Sequence, residues 1–422
     1  MNPLYPLFLK IIFYGLKEEN DRDPELITEE WKALLNMAAN QDLLPMVVDE
    51  IVSYKTIKRI DPLLLKEYKD RAINAAIRQI TQTNEFLTIL LRAQAQGLDP
   101  IVLKGITVRS LYPKPYLRPS VDEDILVSRD QAKAFYEFLI SEGLTPDEPD
   151  LDPRTAAEIS FHKPESPTYI EMHMSLFDPE ASAYGDLNKL FEGAEERTVR
   201  QQIEDVNVRT LHPTDHLLYL ICHVYKHFIH SGAGIRQLAD IGVFSREYAE
   251  IIDWNYIEDA CRKVGIDTFA AAIFEIIRKY LVPELRPVFS SIHVDEGPLL
   301  EDVLSGGIYG LSDPDRVHSV NITLSAAEAA KRAENGETEA SQKRSRKFSG
   351  ISGVWHSIFP GNAYLQKSFP YAKEHPILIP IAWGHRIVNY VKRTPNVFRN
   401  SVRTVRAGEK RTALLKKYKI IE

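Results

Sequence analysis

Apolar residues recur at helical spacing through the first part of the chain. The run LLLKEYKDRAINAAIRQITQTNEFLTILLRAQAQ keeps this spacing for more than thirty residues. Gly97 and Pro100 follow it, and these two residue types commonly end a helix. The pattern therefore predicts an N-terminal helical unit over residues 1–97.

The pattern changes at about residue 100, where short apolar or alternating runs predict strands. These runs are IVLKG, VDEDILV, AEISFHK, TYIEMHMSL and DVNVRTL. Between the second and third, RDQAKAFYEFLISEGL is amphipathic and ends at a glycine, which is typical of a helix. We expect an α+β fold in which residues 98–212 form a small mixed sheet, flanked by N- and C-terminal helical units.

Helical patterns return after Pro213 and predict a helical domain over residues 213–324. Residues 325–350 are polar and densely charged and are interpreted as a linker, and residues 351–422 as a C-terminal helical segment. The last 32 residues hold ten Lys/Arg against two Glu. Such a run is usually a solvated helix face, with RNA or an acidic membrane surface as the alternative partner.

Composition narrows the class of protein. A net charge of −7 and a pI near 6.0 argue against nucleic-acid binding along the whole chain. Two cysteines, Cys222 and Cys261, are too few for a disulfide framework and fit a reducing compartment. No stretch reaches 18 consecutive apolar residues. We expect a cytoplasmic protein without a membrane span.

Carboxylates on two neighbouring strands are the candidate chemistry. Residues two apart on a strand share a face, so Asp122 would project with Asp124, and Glu171 with His173. Each pair of carboxylates about 4 Å apart costs on the order of 4 kcal/mol at an effective dielectric of about 20. A cation or raised pKa values must offset that repulsion, and hard oxygen ligands favour Mg²⁺ or Mn²⁺. The alternative is a solvated turn and edge-strand charges.

The stretch LKGITVRSLYPKPYLRPSVDEDILVSRDQAKAFYEFLISEGL resembles an uncharacterised bacterial nucleotidyltransferase family of the polymerase-β-like superfamily. Shared features are the LKG strand end, the Arg-Pro pair before a DxD strand, and a helix ending in a glycine turn. The resemblance continues through YIEMHMSLF and LHPTDHLLYLICHVYKHFIHSGAGIRQLADI, and loosely through WHSIFPGNAYLQKSFP and ILIPIAWGHRI. It covers residues 98–245 well, and residues 1–97 only in helical character.

The resemblance implies a sheet of nucleotidyltransferase type and a role for each matching residue. Asp122, Asp124 and Glu171 match the catalytic, metal-binding carboxylates, while Lys104, Gly105 and Arg118 match positions beside the triphosphate. This chain departs from the superfamily in two places. Glu123 stands where an apolar residue is usual, so it is expected at the strand's open end or in a different register. Lys104-Gly105 replaces glycine-serine, which suggests a cation in the phosphate cradle.

One helix carries four histidines, His216, His223, His227 and His230, on roughly one face. The H-x-x-x-H spacing of His223 and His227 raises zinc as an alternative, but Val224 replaces the glutamate of HExxH. We expect His223, Lys226, His227 and Arg236 to line the nucleotide or acceptor cleft, with His173 beside the metal ligands. Buried structural histidines and an Arg236–Asp240 pair remain the other interpretation.

These observations predict a metal-dependent nucleotidyltransferase. It would move a nucleoside monophosphate from an NTP to an acceptor that the sequence leaves open: a small molecule, a protein or an RNA. One rival is a catalytically inactive NTP-binding scaffold, which Glu123 makes credible. The other is a glycosyltransferase that uses its DxD to hold a metal and a nucleotide diphosphate.

Overall fold

The computed structural model describes residues 2–17, 24–230, 232–308 and 397–421. The chain divides into two compact units, residues 1–228 with 232–312, and residues 229–231 with 313–422. The charged stretch 325–350, the apolar segment HPILIPIAWGHRIVNYV and the C-terminal segments of the family resemblance lie outside the described residues. Among the helices that the structure describes, none is long and apolar enough to cross a membrane.

In the part of the chain that the structure describes, four α-helices precede the sheet: α1 (Tyr5–Lys17), α2 (Thr28–Asn40), α3 (Leu44–Ile51) and α4 (Pro62–Ala95). The start of α4 is capped by Asp61, whose carboxylate accepts the Leu63 and Leu64 amides at 3.0 and 2.9 Å. Pro62 occupies the first position, where its missing N–H costs nothing. The helix ends before Gly97, which adopts a φ of +77°. Both ends of α4 agree with the sequence pattern.

The sheet has seven strands in the order β3-β4-β5-β2-β1-β7-β6. Their bounds are β1 Ile101–Val102, β2 Glu123–Leu126, β3 Thr145–Pro146, β4 Glu158–His162, β5 Tyr169–His173, β6 Thr198–Ile203 and β7 Val206–Leu211. The central pair β2 and β5 is parallel, as is β1 with β7, and the other neighbours are antiparallel. The fold is therefore mixed α/β with a mixed sheet, as the strand patterns predict, although the sequence pattern missed β3 and β6.

One face of the sheet is covered by α4 and by α6 (Ala132–Ser141), which form its main core. Inward-facing residues of β2 and β5, Ile125, Ile170 and Met172, are 1% exposed or less and lie in this core. Because side chains alternate along a strand, the residues between them project from the opposite face. Asp124 and Glu171 are among those residues.

Helices return after the sheet. Those among the described residues are α7 (Pro213–His230), α8 (Ile235–Glu247), α9 (Trp254–Lys263), α10 (Asp267–Tyr280), α11 (Gly297–Gly306) and, after the stretch outside the described residues, α12 (Val397–Lys417). α8 packs closely on α10 at Gly242, where a Cβ would lie 2.9 Å from an Ile277 side-chain atom. α7 and α8 supply one wall of a cleft beside the ends of β1 and β2. Between β1 and β2, a short helix α5 (Ile106–Arg109) follows Gly105.

Candidate active site

The register of the two central strands brings carboxylates together. β2 and β5 run parallel, and Asp124 lies directly beside Glu171. Asp122 comes immediately before the first residue of β2. Further along β5, His173 projects from the same face as Glu171 because the two residues are two apart.

Three of these side chains form a compact set of potential metal ligands. One ligand atom from each of Asp124, Glu171 and His173 lies within 4.8 Å of the other two. His173 Nε2 is 3.0 Å from Asp124 Oδ1 and 3.7 Å from Glu171 Oε2. Asp122 is outside this set, so the structure brings together two of the expected carboxylates and adds a histidine to them.

Lys104 connects Asp122 to this group. Its Nζ lies 2.7 Å from Asp124 Oδ2 and 3.2 Å from Asp122 Oδ2. The single ammonium therefore offsets part of the charge of the two aspartates. Carboxylate repulsion in this chain is offset in part by a cation of the protein itself.

The charges of the group shift its titration. Burial alone would raise the pKa of Asp124, but Lys104 and His173 outweigh it and hold that pKa below its usual value. Burial would lower the pKa of His173, yet its hydrogen bond to Asp124 and the nearby carboxylates of Glu171 and Glu158 raise it to about 9. Burial, then Asp124 and Asp122, raise the pKa of Glu171. At neutral pH a protonated His173 is therefore the second internal cation of the group.

Glu123 faces the other side of β2 and belongs to a different network. It is fully buried; its Oε1 accepts from Arg109 Nη2 at 2.6 Å and its Oε2 accepts from the Ile106 amide at 2.7 Å. Gly105 has a φ of +75°, and a Cβ there would lie 2.1 Å from Glu123 Oε2. The strand register is regular at this point. Neither a position at the strand's open end nor a different register is needed to explain Glu123, because its carboxylate anchors the turn that carries Lys104.

Arg118 is held by a residue distant in sequence. Its Nε and Nη2 bind the Asp240 carboxylate at 3.0 and 2.5 Å, and Tyr112 donates to the same carboxylate at 2.7 Å. Burial opposes the charge of Arg118, but Asp240 outweighs it and raises the pKa of Arg118. Arg236 donates to the Pro119 carbonyl. The Arg236–Asp240 pair allowed by helical spacing is therefore replaced by a pair between Arg118 and Asp240.

The cleft beside the carboxylates is lined by Lys104, Arg118, Asp122, His223, Arg236 and Asp240. Two buried guanidinium nitrogens, Arg118 Nη1 and Arg236 Nε, have no hydrogen-bond partner among the described residues. Both arginines are only 4% exposed. Buried donors of this kind are costly unless something accepts from them. Because both arginines line the cleft, their positive charge there suits an anion.

The histidines of α7 do not share one environment. His216 is buried, and burial lowers its pKa to about 3. His223 lines the cleft, its Nε2 lies 3.3 Å from that of His227, and burial and then His227 lower its pKa. Lys226 lies over the Tyr184 ring at 5.7 Å. Among the described residues these histidines belong to no set of three clustered ligand atoms, so the structure gives no support to zinc here.

Sequence reasoning missed two neighbours that contact residues of the site. Glu158 on β4 lies opposite His173 in the antiparallel register, with its Oε2 3.3 Å from His173 Nδ1. Arg109 supports Glu123 from α5. Alternation within each strand was readable, but the pairing of strands that joins Glu158 to His173 was not.

A family model described as an uncharacterised nucleotidyltransferase matches residues 28–281. The match covers more than half of the chain and includes every strand of the sheet, both central carboxylates and the cleft helices α7 and α8. The chain belongs to this nucleotidyltransferase family. Comparisons with curated proteins and with solved structures gave no match.

Proposed function

We propose that the chain is a metal-dependent nucleotidyltransferase that moves a nucleoside monophosphate from an NTP to an acceptor. The observation that carries the proposal is the meeting of Asp124 and Glu171 on adjacent parallel strands, beside a cleft with two unpartnered buried arginine nitrogens. Family membership supports the same chemistry and not glycosyl transfer. The proposed acceptor class remains open among small molecules, proteins and RNA.

Asp124 and Glu171 would hold Mg²⁺ or Mn²⁺, and Asp122, which Lys104 holds outside their cluster, would join them as the third carboxylate when Lys104 turns to a phosphate. The donor set fits such an ion, because the hard carboxylate oxygens of Asp124 and Glu171 converge there. A bound dication supplies Lewis-acid stabilisation of phosphate charge and lowers the pKa of the acceptor oxygen. Glu171, half-buried at the edge of the group, would share or orient that ion.

Lys104, Arg118 and Arg236 would bind the triphosphate. Lys104 contacts both aspartates and also lines the cleft, so it can exchange a carboxylate partner for a phosphate oxygen. Arg118 keeps Asp240 as its partner and offers Nη1, while Arg236 offers Nε. Charge-assisted hydrogen bonds to phosphate are stronger than neutral ones. Gly105 allows the close approach of Glu123, which sets the position of the Lys104 turn.

His223 and His227 lie on the α7 side and would contact the nucleotide or the acceptor. Low pKa values keep a buried imidazole such as His223 neutral at physiological pH. A neutral imidazole can both donate and accept a hydrogen bond, which suits recognition of a base or hydroxyl. Lys226 would act from the same helix, at the rim beside Tyr184.

The test is transfer of label from NTPs. Purified protein, Mg²⁺ or Mn²⁺ and cell extract are incubated with each NTP labelled at the α- or the γ-phosphate. We expect transfer of the α-label alone, with release of pyrophosphate, and loss of transfer in Asp124→Asn. Asp147→Asn is the matched control, since Asp147 is a histidine-paired aspartate directly after β3 and does not line the cleft. Transfer of the γ-label, or metal-dependent NTP binding without transfer, would contradict the proposal; the second result would identify an inactive scaffold.

A further inference from the structure

We propose that His173 is a nitrogen ligand of the metal and that it makes the site selective for Mn²⁺ and similar transition-metal ions over Mg²⁺. The proposal deepens the function above and rests on its metal site. It adds a ligand that neither the carboxylate pattern nor family membership assigns. The argument depends on the position of the imidazole, the partner of its second nitrogen, and the arrangement of charges around Asp124.

The imidazole of His173 lies inside the ligand set. Its Nε2 is 3.0 Å from Asp124 Oδ1 and 3.7 Å from Glu171 Oε2, and the residue is 4% exposed. His173 and Glu171 are two residues apart on β5 and therefore share a face. An ion bound by Asp124 Oδ1 and Glu171 is consequently within reach of the imidazole.

The second ring nitrogen has the partner expected of a metal-bound histidine. His173 Nδ1 lies 3.3 Å from Glu158 Oε2, in the antiparallel register that places Glu158 opposite His173. Metal-ligating histidines usually donate their other N–H to a carboxylate, which sets the tautomer and the ring orientation. On metal binding the imidazolium would release its Nε2 proton to solvent, while Glu158 would hold the other proton at Nδ1, so that the Nε2 lone pair binds the ion.

The two oxygens of Asp124 have different partners. Oδ2 is 2.7 Å from Lys104 Nζ, while Oδ1 faces His173. The ammonium thus occupies the side of Asp124 toward Asp122, and the imidazole side is where a metal can enter. An ion on that side meets two carboxylates and one imidazole.

This ligand set has consequences for selectivity. Mg²⁺ takes oxygen ligands and water in near-ideal octahedral geometry, whereas imidazole suits transition-metal ions. Mn²⁺ accepts both carboxylate and imidazole. Proteins commonly bind Mn²⁺ more tightly than Mg²⁺ even at sites with oxygen ligands alone. A preference for Mn²⁺ is therefore not decisive by itself, and the decisive observation is coordination of Mn²⁺ by the His173 nitrogen.

The experiment uses the full chain without NTP. Mn²⁺ binding is followed by loss of the free-ion EPR signal and by competition with Mg²⁺, and electron spin-echo modulation reports whether ¹⁴N is coordinated. We expect ¹⁴N modulation in the parent. In His173→Gln the modulation should disappear and the Mn²⁺ preference should fall by roughly tenfold or more. Glu158→Gln should weaken Mn²⁺ binding about 10- to 100-fold. His162→Gln, which alters an exposed histidine on β4, should change neither quantity.

Bound Mn²⁺ without ¹⁴N modulation in the parent, unchanged modulation in His173→Gln, or no Mn²⁺ binding would overturn the proposal. The parent spectrum and Glu158→Gln decide the matter if His173→Gln does not fold. Failure here is distinguishable from failure of the proposed function. Nucleotidyl transfer together with an oxygen-only Mn²⁺ site would refute only the histidine ligand. A ¹⁴N-coordinated Mn²⁺ in a protein that shows no transfer would refute only the proposed activity.

Discussion

Replacing Asp124 by asparagine should destabilise the metal-free protein. Repulsion among three carboxylates would instead predict an unchanged or raised stability on loss of one charge. The structure reverses that expectation, because the carboxylate of Asp124 is 1% exposed and lies between Lys104 Nζ at 2.7 Å and His173 Nε2 at 3.0 Å. Neutralising it leaves two cations without their shared anion.

The magnitude follows from these contacts. Removing one partner of a buried ion pair costs about 3–5 kcal/mol, since the remaining charge is uncompensated. Three features reduce the cost: asparagine keeps an acceptor oxygen, His173 can release its proton, and Lys104 retains Asp122. We therefore expect the free energy of unfolding to fall by about 2–4 kcal/mol.

Urea unfolding at pH 7 with EDTA measures this change. The midpoint should fall with an unchanged slope if the folded and unfolded states keep their compactness. Asp147→Asn is the control, because Asp147 also pairs with a histidine, at 2.6 Å, but is 38% exposed. We expect it to cost less than about 1 kcal/mol. An Asp124→Asn protein as stable as the parent, or more stable, would refute the reasoning and restore repulsion as the dominant effect.

Three further predictions concern the site and the neighbouring network of Glu123. Lys104→Ala should weaken NTP binding about 10- to 100-fold with metal present, because a charge-assisted phosphate contact is lost; calorimetry showing equal affinity would argue against it. Glu123→Gln should lower stability by about 3–5 kcal/mol, since Arg109, 1% exposed, loses its counter-charge; a loss of unfolding free energy under about 1 kcal/mol, measured by urea unfolding, would contradict that role. The pKa of His173 is about 9 when folded against 6.5 when unfolded, so its contribution is complete below pH 6.5 and is lost as the pH rises through 9. Metal-free parent should therefore lose stability over that interval and His173→Gln should not; parallel profiles would be the contrary result.

Local pattern predicted the elements that carry strong periodicity. The long repeat ending at Gly97 gave α4, and alternation around Asp124 and Glu171 correctly placed both side chains on the face opposite Ile125. The sequence pattern did not predict β6, because TVRQQI is polar. This strand lies at the edge of the sheet, where burial imposes little alternation of apolar and polar residues.

Local sequence patterns could not predict ion pairs between residues far apart in the chain. Arg118 binds Asp240, 122 residues away, and nothing in either local pattern selects that partner over others. Glu123 looked like a departure from an apolar position, yet it is buried because Arg109, Ile106 and Gly105 supply the partners and the space. Buried charge is tolerated when it is paired and hydrogen-bonded, and such pairs depend on the assembled fold.

The central claim is that the carboxylate group holds a metal ion against a triphosphate in the neighbouring cleft. Anomalous scattering from Mn²⁺ in crystals grown with an α,β-methylene NTP tests it most directly. We expect a manganese peak bound by Asp124 and Glu171, with phosphate oxygens accepting from Arg118 Nη1 and Arg236 Nε. A manganese and triphosphate site elsewhere on the protein, with both arginine nitrogens still unpartnered, would contradict the claim.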